Sequence, residues 1–377
     1  MSVSRRTAFV RTTSTEARSP PPGTRGAIRW LRRNLFSSPA NTITTVAVLL
    51  FLAWIVPPIV RWAFIDAAWT GSDRSVCLDG GACWAFIGAK INLLLFGLYP
   101  PSEYWRVVLV AVLFVAGLVP LAIPRVPGKR WNILYLLVVF PVIAIMLLTG
   151  KGLGLPEVPT DRWGGLFVTL VTAVFGIVIS LPLGILLALG RRSTLPVVRY
   201  VSTAFIELWR GVPLVTVLFM ASVMLPIFLP DGMTMDKLVR AMLGIAIFYS
   251  AYMAEVVRGG LQAIPKGQYE GSMALGLSYI QRMRLIILPQ ALTTVIPGIV
   301  NTFIALFKDT SLLLVIGLFD LVGMIKSAAN DSDWASPSVP ATGYVFAGIV
   351  FWVFCFGMSR YSLFVERRLA RGRRSGS

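Results

Sequence analysis

Long apolar runs separated by short polar stretches dominate the chain. Eight of them are long enough to matter, at residues 43–64, 107–123, 132–149, 166–189, 212–228, 238–257, 287–307 and 342–362. A helix needs about 20 mostly apolar residues to cross the hydrocarbon of a bilayer, so the pattern predicts an all-α integral membrane protein with about eight transmembrane helices. Pro57 and Pro58 interrupt the first run, and Pro124 closes the second. Residues 90–98 are apolar but too short to span, which places them along the membrane interface.

The stretch between the sixth and seventh runs, residues 264–291, reads IPKGQYEGSMALGLSYIQRMRLIILPQA. It carries Lys266, Glu270, Arg282 and Arg284 and so cannot itself cross a bilayer. Pro265 and Gly267 supply turn chemistry, and residues 268–275 suit a short helix on which Tyr269 and Met273 share a face. Gly276 can end that helix in the left-handed conformation. Ser278 and Gln281 have the spacing of a capping box, predicting a second helix that runs to Leu288, with Pro289 opening the next apolar run. The expected product is a two-helix knob with exposed apolar side chains, a shape suited to a groove on a partner.

Composition strengthens the membrane reading. Hydrophobic residues make up 56% of the 377 residues, and the mean hydropathy is +0.75. The net charge of +18 would point to nucleic acid in a soluble chain, but its distribution points elsewhere. Segments 1–42, 125–131, 190–211, 255–286 and 360–377 hold 25 Lys and Arg against 5 Asp and Glu, and the remainder holds 10 against 12. The positive-inside rule then places both termini and the 264–291 loop in the cytoplasm. Residues 1–42 read as a disordered basic cytoplasmic tail with a weakly helical end near Trp30, its arginines meeting anionic lipid headgroups or only fixing orientation. Residues 363–377 form a second basic cytoplasmic tail.

Histidine is absent and there are three cysteines, which disfavours imidazole catalysis, zinc and haem. Cys77 and Cys83 are close enough along the chain to form a disulfide across the Gly80-Gly81 turn if their loop is periplasmic; two free thiols are the alternative. Glu207 and Arg210 lie one helical turn apart and can pair, and Glu255 and Arg258 repeat that offset. These are interfacial ion pairs capping helix ends, or they help to position the 264–291 loop. Lys308, Asp309, Thr310 and Ser311 interrupt apolar sequence. Adjacent charges there are costly unless paired or wetted, so these four are candidates for a polar path, the alternative being that Lys308 pairs with Asp309. No GxxxxGK[ST] phosphate loop is present, so ATP chemistry of that type must be borrowed.

The spacing Glu270, Gly271, Ser272, three residues, Gly276, nine residues, Ile286, one residue, Leu288, Pro289 resembles the EAA loop of ABC importer permeases, with Gly271 and Ser272 in place of two alanines. The stretches ELWRGVPLV from Glu207, AEVVRGGLQAIPKGQYEG from Ala254 and FKDTSLL from Phe307 resemble the polar amino acid branch, Val212 standing where a small hydroxylic residue is common. Residues 163–362 would then be a five-helix type I, MetI-like permease core. Residues 43–162 would be a three-helix extension with a periplasmic loop, as in the longer permease of general L-amino-acid uptake systems. The resemblance implies a bacterial inner-membrane transporter subunit, not an enzyme, with Glu270, Gly271, Ser272, Ala274, Leu275, Gly276, Leu288 and Pro289 coupling it to an ATPase. It also implies a second permease in a heterodimer, two ATPase subunits that carry ATP and Mg, and a periplasmic binding protein. This chain would bind no cofactor, metal or nucleic acid, and would contact amino acid and membrane lipid. Lys308 and Asp309 would meet the carboxylate and ammonium of a zwitterionic substrate. Glu270 would act near a helix N-terminus or on a basic group of the ATPase.

The competing reading is an ion-coupled carrier or channel, which calls for inverted repeats and charges buried in several spans; neither is obvious. A membrane-embedded enzyme would need a nucleophile and base arrangement that the sequence does not offer.

Overall fold

The computed structural model describes residues 26–374 except 78, 79, 124, 125, 229, 231 and 233. The tail before residue 26, Pro124 and Arg125 of the short basic loop, and the side chains of the last arginines lie outside the described residues. The chain divides into two compact units at residues 66 and 67.

In the first unit, α1 (Ala27–Asn34) stands where the sequence placed a weakly helical end. Ser38 caps α2 (Pro39–Val60) by accepting from the Asn41 amide. Pro57 and Pro58 do not break that helix; a π-turn at Arg61–Ile65 follows them and widens the coil. The same device recurs in the second unit. Three further π-turns, Tyr135–Val139, Met220–Met224 and Met283–Ile287, each end two residues before a proline, Pro141, Pro226 or Pro289. A proline offers no amide and crowds the carbonyl four residues back, so a wider turn lets the helix run through it.

The second unit begins with a loop joined by the Cys77–Cys83 disulfide. Ser338 donates to the Cys77 carbonyl at 2.9 Å, and the Cys83 amide donates to the Thr342 hydroxyl at 2.9 Å. Helix α3 (Trp84–Phe96) covers the short segment assigned to the interface, but it buries Ala85, Phe86, Ile87 and Leu94 within the protein. Gly97 follows, and a Cβ there would lie 2.4 Å from the Gly164 Cα, a backbone approach that only glycine permits. Two further spanning segments form a hairpin, α4 (Tyr104–Ala122) and the continuous run α5 (Lys129–Leu134), π-turn and α6 (Phe140–Thr149). Arg106 is fully buried between them, paired with Glu103 at 2.6 Å and donating to the Pro156 carbonyl at 2.9 Å.

The core of the unit is α7 (Gly165–Arg191) against α10 (Lys237–Gln262), the most buried of the described helices long and apolar enough to span. Buried small residues Gly176, Ser180, Gly184 and Ala188 recur every fourth position along α7. Helices in lipid gain little from the hydrophobic effect on meeting each other, so close backbone packing across such a stripe does the work. A Cβ at Gly184 would lie 2.7 Å from the Met253 Cβ and 3.0 Å from the Ala254 amide nitrogen. Gly184→Leu is therefore expected to destabilise by about 1–3 kcal/mol or more, seen as a melting point in detergent lower by about 2–4 °C per kcal/mol. Gly259→Ala, on the open side of α10 where an added Cβ meets nothing, should leave it unchanged.

Two predicted boundaries, those of the seventh and the last runs, are corrected. The fifth run, 212–228, is met by α9 (Leu214–Phe219) with its π and 3-10 continuation to Phe228, and ahead of it stands α8 (Pro196–Gly211), which the hydropathy pattern did not single out, with a bend of 105° at Val212 and Pro213. Pro213 cannot donate and biases Val212 to an extended conformation, ψ 137°, which ends α8. Among the described residues, seven helices are long and apolar enough to span, or eight with the bent pair as one. The loop helices α11 (Lys266–Ala274) and α12 (Tyr279–Arg282) lead to α13 (Leu288–Thr294). The seventh run then breaks at Val295, because Pro297 fits only the first turn of a new helix, α14 (Ile296–Asp309). With the 3-10 turn Thr310–Ile316 this spans 21 residues, so Lys308 to Ser311 lie within a spanning segment rather than after one. Asp320, fully buried, caps α15 (Leu321–Ala329) through the Val322 and Gly323 amides. The last helix, α16 (Ser338–Arg374), is 37 residues long and carries on through the expected basic tail.

Candidate functional site

The loop after α10 folds as two short helices hinged at Gly276. Gly276 has φ +70°, its amide donates to the Met273 carbonyl, and the Leu277 amide reaches back to the Ser272 carbonyl at 3.3 Å. Those two bonds are a Schellman closure, which needs a left-handed residue at that point. Ser278 and Gln281 exchange both bonds of the capping box at the start of α12. The knob is tied to its root by Gln290, which donates to Gln268 at 3.1 Å. At that root a Cβ on Gly260 would lie 2.6 Å from the Ala291 carbonyl oxygen, so α10 and α13 touch backbone to backbone.

The predicted coupling residues divide by environment. Glu270, Gly271, Ala274, Leu275, Gly276 and Pro289 are exposed. Ser272 is buried and donates to the Tyr269 carbonyl at 2.7 Å, while half-buried Leu288 packs on the cluster of α7, α10 and α13. Met273, Leu275, Tyr279 and Ile280 form an exposed apolar ridge, with Leu275 75% and Ile280 73% exposed. Tyr269 and Met273, expected on one face, part company: the Tyr269 ring turns into the molecule. Glu270 is the fifth residue of α11, beyond the first turn where the helix dipole favours a carboxylate. Among the described residues it has no ion-pair partner.

Below the knob, the predicted Glu207–Arg210 pair does not form. Arg191, at the last turn of α7, takes Glu207 at 2.8 Å and Glu255 at 2.5 Å. Glu255 also accepts from Arg258 at 2.7 Å, as expected from their spacing, and lies 3.7 Å from Arg210. One partly buried carboxylate thus joins three arginines from α7, α8 and α10. The sequence signal for Arg191 was its place directly after an apolar run.

At the polar interruption that ends α14, the alternative of a Lys308–Asp309 pair is not what forms. Asp309 accepts from the Tyr249 hydroxyl of α10 at 2.5 Å, and no Lys308–Asp309 pair is found among the described residues. Successive residues on a helix point about 100° apart, so neighbours in sequence are poorly placed to share a target. Thr310 is buried and bonds the Phe307 carbonyl, and Ser311 bonds the Lys308 carbonyl, so both hydroxyls are satisfied on their own helix. Lys308 is exposed. Tyr249 escaped the sequence reading because a lone tyrosine in an apolar run looks like ordinary core.

Residues 180–371 match the family model described as the inner membrane component of binding-protein-dependent transport systems. The chain is 48% identical over 347 residues to an Escherichia coli K12 protein described as the inner membrane amino-acid ABC transporter permease YhdY, covering 92% of this chain and 94% of that one. It is 40% identical to the Rhodobacter capsulatus glutamate/glutamine/aspartate/asparagine transport system permease BztC, over 98% of this chain and 99% of that one. Among solved structures, an amino acid ABC transporter crystallised with histidines matches 54% of this chain at 29% identity and a TM-score of 0.48.

Proposed function

Since the chain belongs to the inner-membrane permease subunits of binding-protein-dependent ABC transporters, we propose that it forms half of a pore that imports polar amino acids, driven by ATPase subunits that grip the Gly276-hinged knob. The observation that carries this reading is the knob itself. It presents an exposed apolar ridge and an unpartnered carboxylate on rigid helices whose root is fused to α10 and α13, the form of a helix-in-groove contact.

The assembly comprises this chain, a second permease with which it pairs, two ATPase subunits that carry ATP and Mg, and a periplasmic binding protein that delivers cargo. The charge census supports a cytoplasmic placement of both termini and of the knob. The disulfide-joined loop then lies on the periplasmic side, where disulfides persist. ATP-driven closure pushes on α11 and α12 and biases the pore between outward-facing and inward-facing states. The cargo class follows the two full-length relatives, both amino acid permeases. In this scheme Asp309 and Tyr249 form a polar seam between α10 and α14, and Lys308 remains free for a carboxylate.

Uptake measured in cells with ATP depleted and the proton gradient maintained is expected to collapse. Uptake that persisted would favour an ion-coupled carrier. The purified chain alone is expected to hydrolyse no ATP.

A further inference from the structure

The end of α7 carries two adjacent arginines with different targets. Arg191 holds α8 and α10 through Glu207 and Glu255. Arg192 turns to the knob: its Nη1 donates to the Tyr269 hydroxyl at 3.2 Å, and its guanidinium lies 5.6 Å from the centre of the Tyr269 ring. The same hydroxyl donates to the Leu261 carbonyl, in the last turn of α10, at 3.0 Å. One side chain of α11 is therefore bonded to two spanning helices at once.

Among the described residues, no other side chain of α11 is hydrogen-bonded to α7 or α10. Ser272 spends its hydroxyl on the Tyr269 carbonyl within the same helix. Gln268 reaches Gln290 of α13, the other arm of the same loop. Glu270, Met273 and Leu275 point to solvent, toward whatever docks. Hydrogen bonds weaken steeply with distance and angle, so a displacement of α11 must either carry its bonded partners along or break those bonds.

We infer that Tyr269, held by Arg192 and the Leu261 carbonyl, is the positioning residue that passes displacement of the coupling helix to α7 and α10. The inference rests on α11 being the ATPase-docking helix. Because Arg191 is next to Arg192 and holds Glu255, the movement also reaches α8 through the three-arginine cluster. Tyr269 would thus set how much transport each ATP turnover yields rather than how tightly the ATPase binds.

The test uses the full transporter in vesicles, this chain with its second permease, ATPase subunits and binding protein, and measures both ATPase co-purification and amino acid imported per ATP hydrolysed. Tyr269→Phe keeps the ring but removes both hydroxyl bonds, and should lower import per ATP about fivefold; Tyr269→Ala should lower it about tenfold or more, within the range of ordinary coupling energies. The ATPase should still co-purify with both variants. Arg192→Gln should lower the ratio as well, and combining it with Tyr269→Phe should cost less than the two effects multiplied, since they share one contact. A wild-type ratio in both tyrosine variants would overturn the inference, as would import and ATP hydrolysis falling together through loss of the bound ATPase. If even the wild-type chain brings down no ATPase, the docking reading has failed first, a result readily told apart from the others.

Discussion

Glu270→Ala is expected to stop ATP-driven uptake while leaving the protein inserted in the membrane at normal levels. The carboxylate is exposed on α11 and, among the described residues, has no cationic partner, so its removal leaves nothing unpaired within the chain. Surface substitutions of that kind shift stability by no more than about 0.5 kcal/mol. On docking the situation reverses. A charge pair buried at an interface, once broken, costs about 2–5 kcal/mol, much of it from the partner's stranded charge. At about 1.4 kcal/mol per tenfold, uptake should fall by at least about 30-fold. Transport assays on membranes with matched protein levels check this, and a variant that transports normally would remove Glu270 from the contact.

Gly276→Val should have the next largest effect, for a reason confined to the backbone. An added Cβ at this position meets nothing within 4 Å, so crowding plays no part. The obstacle is φ +70°, a conformation costing an ordinary L residue about 1–2 kcal/mol and a β-branched one more. Either the valine is strained or the Schellman closure opens and α12 swings away from α11. Uptake is expected to fall about tenfold or more from the middle of that cost upward, whereas Gly276→Asn, which tolerates the left-handed region, should retain most of it. Equal losses for valine and asparagine would show that some property of glycine other than φ matters here.

Much of the site was legible because its signals are local. Gly276, the capping box at Ser278 and the exposed ridge follow from residues within a few positions of each other, and helix termination depends on short-range backbone geometry. The spans were equally readable, since 20 apolar residues in a row have few alternatives. What escaped was tertiary. The Glu207 and Arg210 spacing permits a pair, but Arg191, from another helix, reaches the carboxylate instead. Asp309 found Tyr249, 60 residues away, and not its neighbour. The break at Val295 had a visible cause in Pro297, yet hydropathy averaged over a window passes smoothly across it. Residues 90–98 looked interfacial by length, and the tertiary contacts that bury Phe86 and Leu94 and bring Gly97 against Gly164 reveal α3 as part of the packed core.

The clasp between the Cys77–Cys83 loop and the start of α16 has a bearing on biogenesis. The Cys83 amide and the Cys77 carbonyl take their partners from Thr342 and Ser338, 259 and 261 residues further along. During synthesis the loop emerges early, and it must wait for the ribosome to deliver almost the whole remaining polypeptide before those groups are satisfied. Chains released prematurely, short of α16, would leave the Cys77 carbonyl and the Cys83 amide without these partners, an unfinished rim that quality-control proteases can find.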